Sequence, residues 1–587
     1  MTRPIKYFFL FLLYPFVLNC QVINRIEINN NSVFEDNEII SWASIGEGMK
    51  IYKGLIDTVK SRVAYNLGLN GYFNSDFTGT EITLSPDSSN ADIIISVNEG
   101  KPTYINQVNF SSKDSLRRKE FLPEFEFLKE QVFDKYQIEE YINDALTDLE
   151  NNGNPFAIFR ISSIHFFEDS LSDKHFADLY IKLNTGQRSK IDRIEVKGNT
   201  STKDFVIIRE LRIETGELYS QEKVGELPKR LNRLQFFEPI ATPQFYFDSK
   251  NNGVLLITVN ERQTNNFDGI IGYIPSANDN ETGYVTGLVN VSLRNLFGTG
   301  RAAAFRWQKL NRNSQELEIK YLEPWLLGFP LNLNGGFYQR QQDTIYVQRR
   351  FTAGLEYLAT EEVSASVFIS TESVIPTLTE EPVFTVYNSS SFTSGLSLRI
   401  DTRDDPLAPT SGILFDNSYS FSRKSINGPI EFITPGMVTK INLQRYEVTL
   451  AFFYQLFRRN VVALALNGKE LRGPFFEQSD LFRLGGTKSL RGYREDQFLG
   501  NRIFWSNLEY RLFLSNRTYA FLFFDTGYYL RNADVERSIA KQEGFKIGYG
   551  LGINLQTGIG MLAVSYALAK GDSFSKGKIH FGIINEF

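Results

Sequence analysis

Arg491 sits in a polar, glycine-rich stretch, Leu484 to Asn501 (LGGTKSLRGYREDQFLGN), as the first member of an Arg491, Gly492, Tyr493 tripeptide. The runs on either side carry the apolar and polar alternation of strands. Two acids follow on strand-like runs, Glu509 in NLEYRLFL and Asp525 in FLFFDTGYY. A guanidinium folded back among strands needs a carboxylate, because an unpaired buried charge is strongly destabilising. The planar fork of arginine matches the two oxygens of such a partner. Strand parity is consistent with the pairing: Asn507, Glu509 and Arg511 share one face, opposite Leu508, Tyr510 and Leu512, while Asp525 lies opposite Leu522 and Phe524. The chemistry expected is ion pairing that fixes a loop, and removal of either acid is expected to loosen it.

Other chemistry finds little support. The three histidines, His165, His175 and His580, are scattered without metal spacing or a nucleophile arrangement. Cys20 is the only cysteine, which leaves no internal disulfide and no thiolate metal cluster. The acids of DTRDDPLAPTSG (401 to 412) read as a strand end before a Pro-rich turn rather than a metal cluster. The glycines of GYGLG lack the lysine and helix of a phosphate loop and mark close backbone approach instead. No enzyme site, metal or cofactor is expected. A net charge of -5 without a basic stripe argues against nucleic acid as a partner.

The elements that must position Arg491 are strands. From Arg262 onward, runs of about ten residues alternate with period two between turn residues, the signature of a transmembrane antiparallel β-barrel. In one such run Tyr446, Val448, Leu450, Phe452 and Tyr454 face lipid while Glu447, Thr449 and Ala451 face inward. Residues 262 to 587 accommodate about 16 strands at about 20 residues per strand and turn. The 28 Tyr and 50 Phe suit the aromatic girdles of such a barrel. Beyond the leader, no run approaches the roughly 18 apolar residues of a spanning helix.

Residues 1 to 20 have the layout of a secretory signal peptide, with Arg3 and Lys6 before the apolar run Tyr7 to Leu18. Cys20 either closes a cleavage site before Gln21 or is a lipidated residue, with Asn19 a poor fit to the second reading. Residues 21 to 261 read as an α+β part made of three repeats, 21 to 101, 102 to 186 and 187 to 261. Their opening strands, INRIEI, INQVNF and IDRIEV, begin about 80 to 90 residues apart. They close similarly, with ADIIISVNEG, ADLYIKLNTG and GVLLITVNER. Helical spacing lies between, as in Leu227, Leu231 and Leu234, or Ile138, Ile142, Ala145 and Leu149. A small mixed sheet with a free edge can take up an extended peptide as an added strand, with little demand on its sequence; a role as plain spacers is the alternative.

These motifs, in this order, resemble the outer-membrane protein assembly family, the BamA and TamA group of barrel insertases and their two-partner-secretion relatives. The stretch VKGNTSTKDFVIIRELRIETGELYS resembles a polypeptide-transport-associated (POTRA) domain. SLRNLFGTGR, YLEPWLLG and GYGLGINLQTGIGMLAVSYA extend the resemblance along the barrel half. It implies α+β POTRA repeats before a barrel of about 16 strands in a Gram-negative outer membrane, with the repeats in the periplasm. It also implies that an RG(F/Y) loop enters the lumen, where its arginine (Arg491) pairs with the aspartate of an FxDxG strand (Asp525), Glu509 being the second acid.

The implied function is insertion of unfolded outer-membrane protein clients into lipid through a seam between first and last strands. Periplasmic or lipoprotein accessory subunits are further implied partners. Gly269 and Gly272, poor sheet formers, weaken the first strand. In the terminal run HFGIINEF, His580, Gly582 and Phe587 fit the family's last strand, and Asn585 departs from it. Three repeats resemble the TamA layout more than the five-domain BamA one. The alternative function is an export channel of the two-partner-secretion or autotransporter type; it ranks second because three repeats are counted and no plug helix precedes Ile23.

Overall fold

In a computed structural model, the described residues are 21–85, 90–112, 123, 125–170, 172–275, 282–309, 311–377, 386–534, 539–557 and 560–584. The signal peptide, Asn585 and Phe587 lie outside them. The chain divides into two compact units. One runs to Arg193 and takes in Thr215–Gly225 and Phe247–Gly253; the other comprises Ile194–Glu214, Glu226–Tyr246 and Val254–Phe587.

Three small sheets precede the barrel, each with its third strand in the middle. In the first, Val22–Asn29 runs parallel to Asn90–Ser96, which also pairs antiparallel with Glu81–Leu84. In the second, Thr103–Ser112 runs parallel to Lys174–Asn184, and Ile158–Asp169 is the antiparallel edge. The third orders Arg193–Lys197, Gly253–Thr258 and Gln244–Phe247 in the same way. The helix Leu55–Leu69 buries Leu55, Val59, Val63 and Leu67, a spacing of four that places one stripe against Ile93 and Ile95 of the middle strand. Lys135–Asn151 does the same with Ile138, Ala145 and Leu149 against Leu179 and Ile181, and Asp134 caps it by accepting from the Tyr136 and Gln137 amides. In the third repeat Leu227 and Leu231 are buried, while Leu234 falls just past the helix Gln221–Arg233.

One turn recurs in the first and third repeats. The Asn31 amide donates to the Phe34 carbonyl (2.9 Å) and the Asp36 carboxylate (2.8 Å), and Asn199 does so to Thr202 (2.8 Å) and Asp204 (2.7 Å). Beneath each turn a carboxylate from the end of the module collects amides. Glu99 accepts from Ser32 (2.8 Å) and Val33 (3.0 Å), and Glu261 from Ser201 (2.8 Å) and Thr202 (2.6 Å). Burial pushes both carboxyls up, but the hydrogen bonds outweigh it: Glu99 is held below its ordinary value and Glu261 falls to about 2.

Sixteen antiparallel strands, from Asn266–Ile274 to Lys578–Ile584, form one sheet in chain order. Two short strands, Phe482–Leu484 and Phe498–Gly500, stand apart as a hairpin inside the connection between the eleventh barrel strand, Asn460–Arg472, and the twelfth, Arg502–Phe513. Alternation decides what faces lipid. In the tenth strand, Lys440–Phe457, Tyr446, Val448, Phe452 and Tyr454 are exposed while Ala451 is buried. The same holds for Leu396 and Leu398 in the eighth. No helix among the described residues is long and apolar enough to cross a membrane.

Candidate functional site

The hairpin connection folds back against the inner wall because its apolar residues have somewhere to go. Leu484 and Leu490 are fully buried and cluster with Phe482, Ile503 and Trp505. Gly527 makes room for Leu490, whose Cδ2 would lie 3.0 Å from a Cβ there. The Asn507 amide donates to the Ser489 carbonyl (2.8 Å), which brings the next residues against the twelfth strand, Arg502–Phe513, and the thirteenth, Tyr519–Arg531.

There the structure brings Arg491, Glu509 and Asp525 together. Arg491 Nε donates to Asp525 Oδ2 (2.8 Å) and Nη2 to Oδ1 (2.7 Å), a two-pronged pair, while Nη1 donates to Glu509 Oε1 (2.7 Å). The Arg491 backbone amide adds a third bond to Asp525 (3.0 Å). Asp525 is 0% exposed and Arg491 7%, so water does little to screen these charges. Two further groups, on the same strand faces as the acids, complete the site. The guanidinium lies 3.8 Å from the centroid of the Phe523 ring, and the second Glu509 oxygen accepts from Arg511 (2.9 Å). Two arginines thus face two carboxylates, and the formal charge closes.

Gly492 and Tyr493 carry the loop across the next strands. Gly492 has φ +91°, and a Cβ would come within 2.8 Å of the Leu568 carbonyl group, so only glycine fits. The Tyr493 hydroxyl donates to the Ile547 carbonyl on the fourteenth strand (3.1 Å). The Gly492 amide donates to His580 Nε2 (3.0 Å) on the last strand, and Thr487 Oγ1 is 3.4 Å from His580 Nδ1. Gly548 is the glycine on which the contact depends: a Cβ there would lie 1.9 Å from the Arg491 carbonyl oxygen. Gly582 faces the same loop, 3.3 Å from Thr487 Cγ2 to a built Cβ.

Gly269 and Gly272 belong elsewhere. Built Cβ atoms on them meet Leu288 and Thr286 of the second strand, Tyr284–Leu296, so they border the first ladder and not the loop. Among the described residues no group of His, Cys, Asp and Glu could hold a metal.

The same connection is anchored twice more. Near its start, Lys424 of the ninth strand, Gly412–Gly428, reaches Asp480 with both carboxylate oxygens (2.9 and 2.8 Å) and Glu477 (2.5 Å). All three are buried, and Glu477 also accepts from the Tyr387 amide (2.7 Å). Toward its end, Arg340 of the fifth strand, Leu331–Gln342, donates to Asp496 (2.8 Å).

This arrangement matches a family. The profile of the Omp85 superfamily domain matches residues 295–587, and that of the surface antigen variable number repeat, POTRA, matches 21–100 and 189–262. The chain belongs to the Omp85 superfamily. It is an outer-membrane barrel whose POTRA modules lie in the periplasm. Among curated relatives of this Omp85 chain, the outer membrane protein assembly factor BamA of Nitratidesulfovibrio vulgaris is 26% identical over 441 residues, covering 70% of this chain and 52% of its own. BamA of Neisseria meningitidis serogroup B is 22% identical over 521 residues, covering 82% and 62%. The chain thus spans between half and two thirds of these relatives' length. In fold it is similar to CdiB from Escherichia coli, with a TM-score of 0.50 at 13% identity over 88% of this chain and 94% of that one.

Proposed function

We propose that this protein is an outer-membrane protein assembly factor. Its POTRA modules receive unfolded barrel clients in the periplasm, and a seam between the first and last barrel strands opens to admit them to lipid. The observation that carries this reading is where the sheet ends: among the described residues no ladder joins its first strand, Asn266–Ile274, to its last, Lys578–Ile584. A backbone entering hydrocarbon must be hydrogen-bonded as it enters, so a client strand needs an edge. An opened seam offers one, and successive hairpins then add by pairing and burial, without nucleotide. The luminal loop braces the wall beside that seam.

Reception has its own support. The edge strand Ile158–Asp169 leaves one side without a ladder among the described residues and exposes Ile158, Ile161 and Phe166. Beside it lies an apolar cavity of about 510 Å³ between Tyr65, Phe73, Phe133 and Phe166. An extended client can pair with that edge while burying apolar side chains in the cavity.

The test is a reversible lock. Cysteines replace Gly269 and Ile584, with Cys20 changed to serine, and newly inserted client barrels are measured oxidised and reduced. Insertion that stops when the seam is locked and resumes on reduction supports the reading. Normal barrel assembly with loss of an exported protein replaces it with a secretion channel; no effect on either leaves a spacer.

A further inference from the structure

We propose that His580 is a latch between the luminal loop and the last strand, released when the seam opens; this rests on the lateral-insertion reading above. The last strand is held by neighbours unequally. Its ladder to the fifteenth strand, Gly560–Ala569, runs from Met561 opposite Ile584 to Ala567 opposite Lys578. On its other side no ladder is found among the described residues. A further contact to it comes from the lumen.

Parity turns His580 inward, where it is buried, while Ile579 and Phe581 face out. The imidazole is used on both nitrogens. Because the Gly492 amide is a donor, Nε2 must accept, which leaves the proton on Nδ1 for Thr487 Oγ1 to accept. The loop end of this contact is tied on both sides. Gly492 follows Arg491, whose side chain is tied to the twelfth and thirteenth strands, and precedes Tyr493, tied to the fourteenth. The Arg491 clamp therefore transmits position to the last strand through one residue, and His580 is a positioning residue for the seam.

For the last strand to swing away from the loop, the Gly492 to His580 bond must break and the Thr487 to Gly582 approach must open. Two measurements on the full chain in lipid test this. First, Thr487→Cys with Gly582→Cys, Cys20 replaced, ties loop to strand by a disulfide, since a Cβ at 582 lies 3.3 Å from Thr487 Cγ2. Client-barrel insertion by the oxidised protein is expected to fall at least tenfold below that of the same protein reduced. Insertion at equal rates in both states overturns the latch.

Second, spin labels at Ile271 and Phe581, both lipid-facing, report the distance across the seam by pulsed electron resonance. His580→Phe, which keeps a ring and loses both nitrogens, is expected to add a longer-distance population. His580→Gln, whose side-chain carbonyl can accept from the Gly492 amide, is expected to remove it again. Identical distributions for wild type and His580→Phe overturn the latch, and the tether decides the matter if that variant fails to fold. The Gly269 and Ile584 lock separates the two levels. If the lock stops insertion and the tether does not, only the latch falls; if neither does, the insertion reading falls with it.

Discussion

Two of the three anchors hold the connection with opposite polarity. Near its start the acids, Glu477 and Asp480, are on the loop and the cation, Lys424, is on the wall; at Arg491 the cation is on the loop and the acids, Glu509 and Asp525, are on the wall. The chemistry also differs. Arginine engages Asp525 through a fork and has a second arginine opposite Glu509, so charges balance, whereas a single ammonium faces two carboxylates. A fork fixes orientation as well as distance, and a point charge fixes distance alone. The Arg491 anchor is therefore suited to aim the residues that follow it, and the Lys424 anchor to tie the connection down.

The largest effect is expected from Arg491→Ala. It leaves Asp525 and Glu509 buried with their main partner gone, a loss of roughly 3–5 kcal/mol. The check is the temperature at which the folded band disappears on a detergent gel; an unchanged transition would contradict the burial argument. Arg491→Lys is the sharper probe, because it keeps charge and loses the fork. If the anchors differ as argued, Arg491→Lys loses much of what alanine loses, while Lys424→Arg is tolerated far better than Lys424→Met. Equal behaviour of the two conservative exchanges would erase the distinction.

Next comes the question of whether the anchors act through one rigid loop. Arg491→Ala and Lys424→Met should add within about 0.5 kcal/mol if they are independent. A larger coupling in the double variant, by the same gel transition, means the connection transmits strain between them. Gly548→Ala tests the aim of the loop without touching a charge. A Cβ 1.9 Å from the Arg491 carbonyl forces the loop off the wall, with an expected cost of about 1–3 kcal/mol. The expected sign is loss of the Tyr493 to Ile547 contact, read as greater exposure of the tyrosine in labelling experiments.

How much of this could be read in the sequence follows from period and distance. Glu509 and Asp525 were legible because a strand has a period of two and both acids fall on the face opposite exposed leucines and phenylalanine. The count of about 16 strands follows from the same alternation and the spacing of turns, whereas the sheet order of the repeats, with the third strand central, does not, because pairing partners are set by packing. Lys424 was not legible: parity turns it inward with Ser420 and Ser422, but nothing local names Glu477 and Asp480, more than fifty positions away. His580 was read only as part of a terminal strand, since its partner is a backbone amide 88 residues earlier. Gly548 was legible as a site of close approach without the partner that approaches. What escapes is the set of contacts made by curving the sheet, because those join residues that no pattern along the chain relates.

The smallest effect belongs to a carboxylate that pairs with no cation among the described residues. Glu261 is held by the Ser201 and Thr202 amides and the Thr200 hydroxyl (2.6 Å), much as Glu99 is held by Ser32 and Val33, so backbone dipoles do there what arginine does in the lumen. Glu261→Gln should cost about 1 kcal/mol near neutral pH, the worth of a net hydrogen bond at a partly exposed site. Its folded value of about 2 lies below the roughly 4.3 of an unfolded glutamate, so the protein binds more protons when unfolded. The stabilisation is therefore complete above about pH 4.3 and is lost as pH falls toward 2. The difference in melting temperature between wild type and Glu261→Gln should hold from pH 7 to 5 and shrink below pH 4. It should be little changed by salt, because the partners are amides within hydrogen-bond distance and not mobile charges. A difference that instead vanished in salt at neutral pH would mean that Glu261 works through distant cations, and that the modules and the lumen hold their carboxylates by the same means.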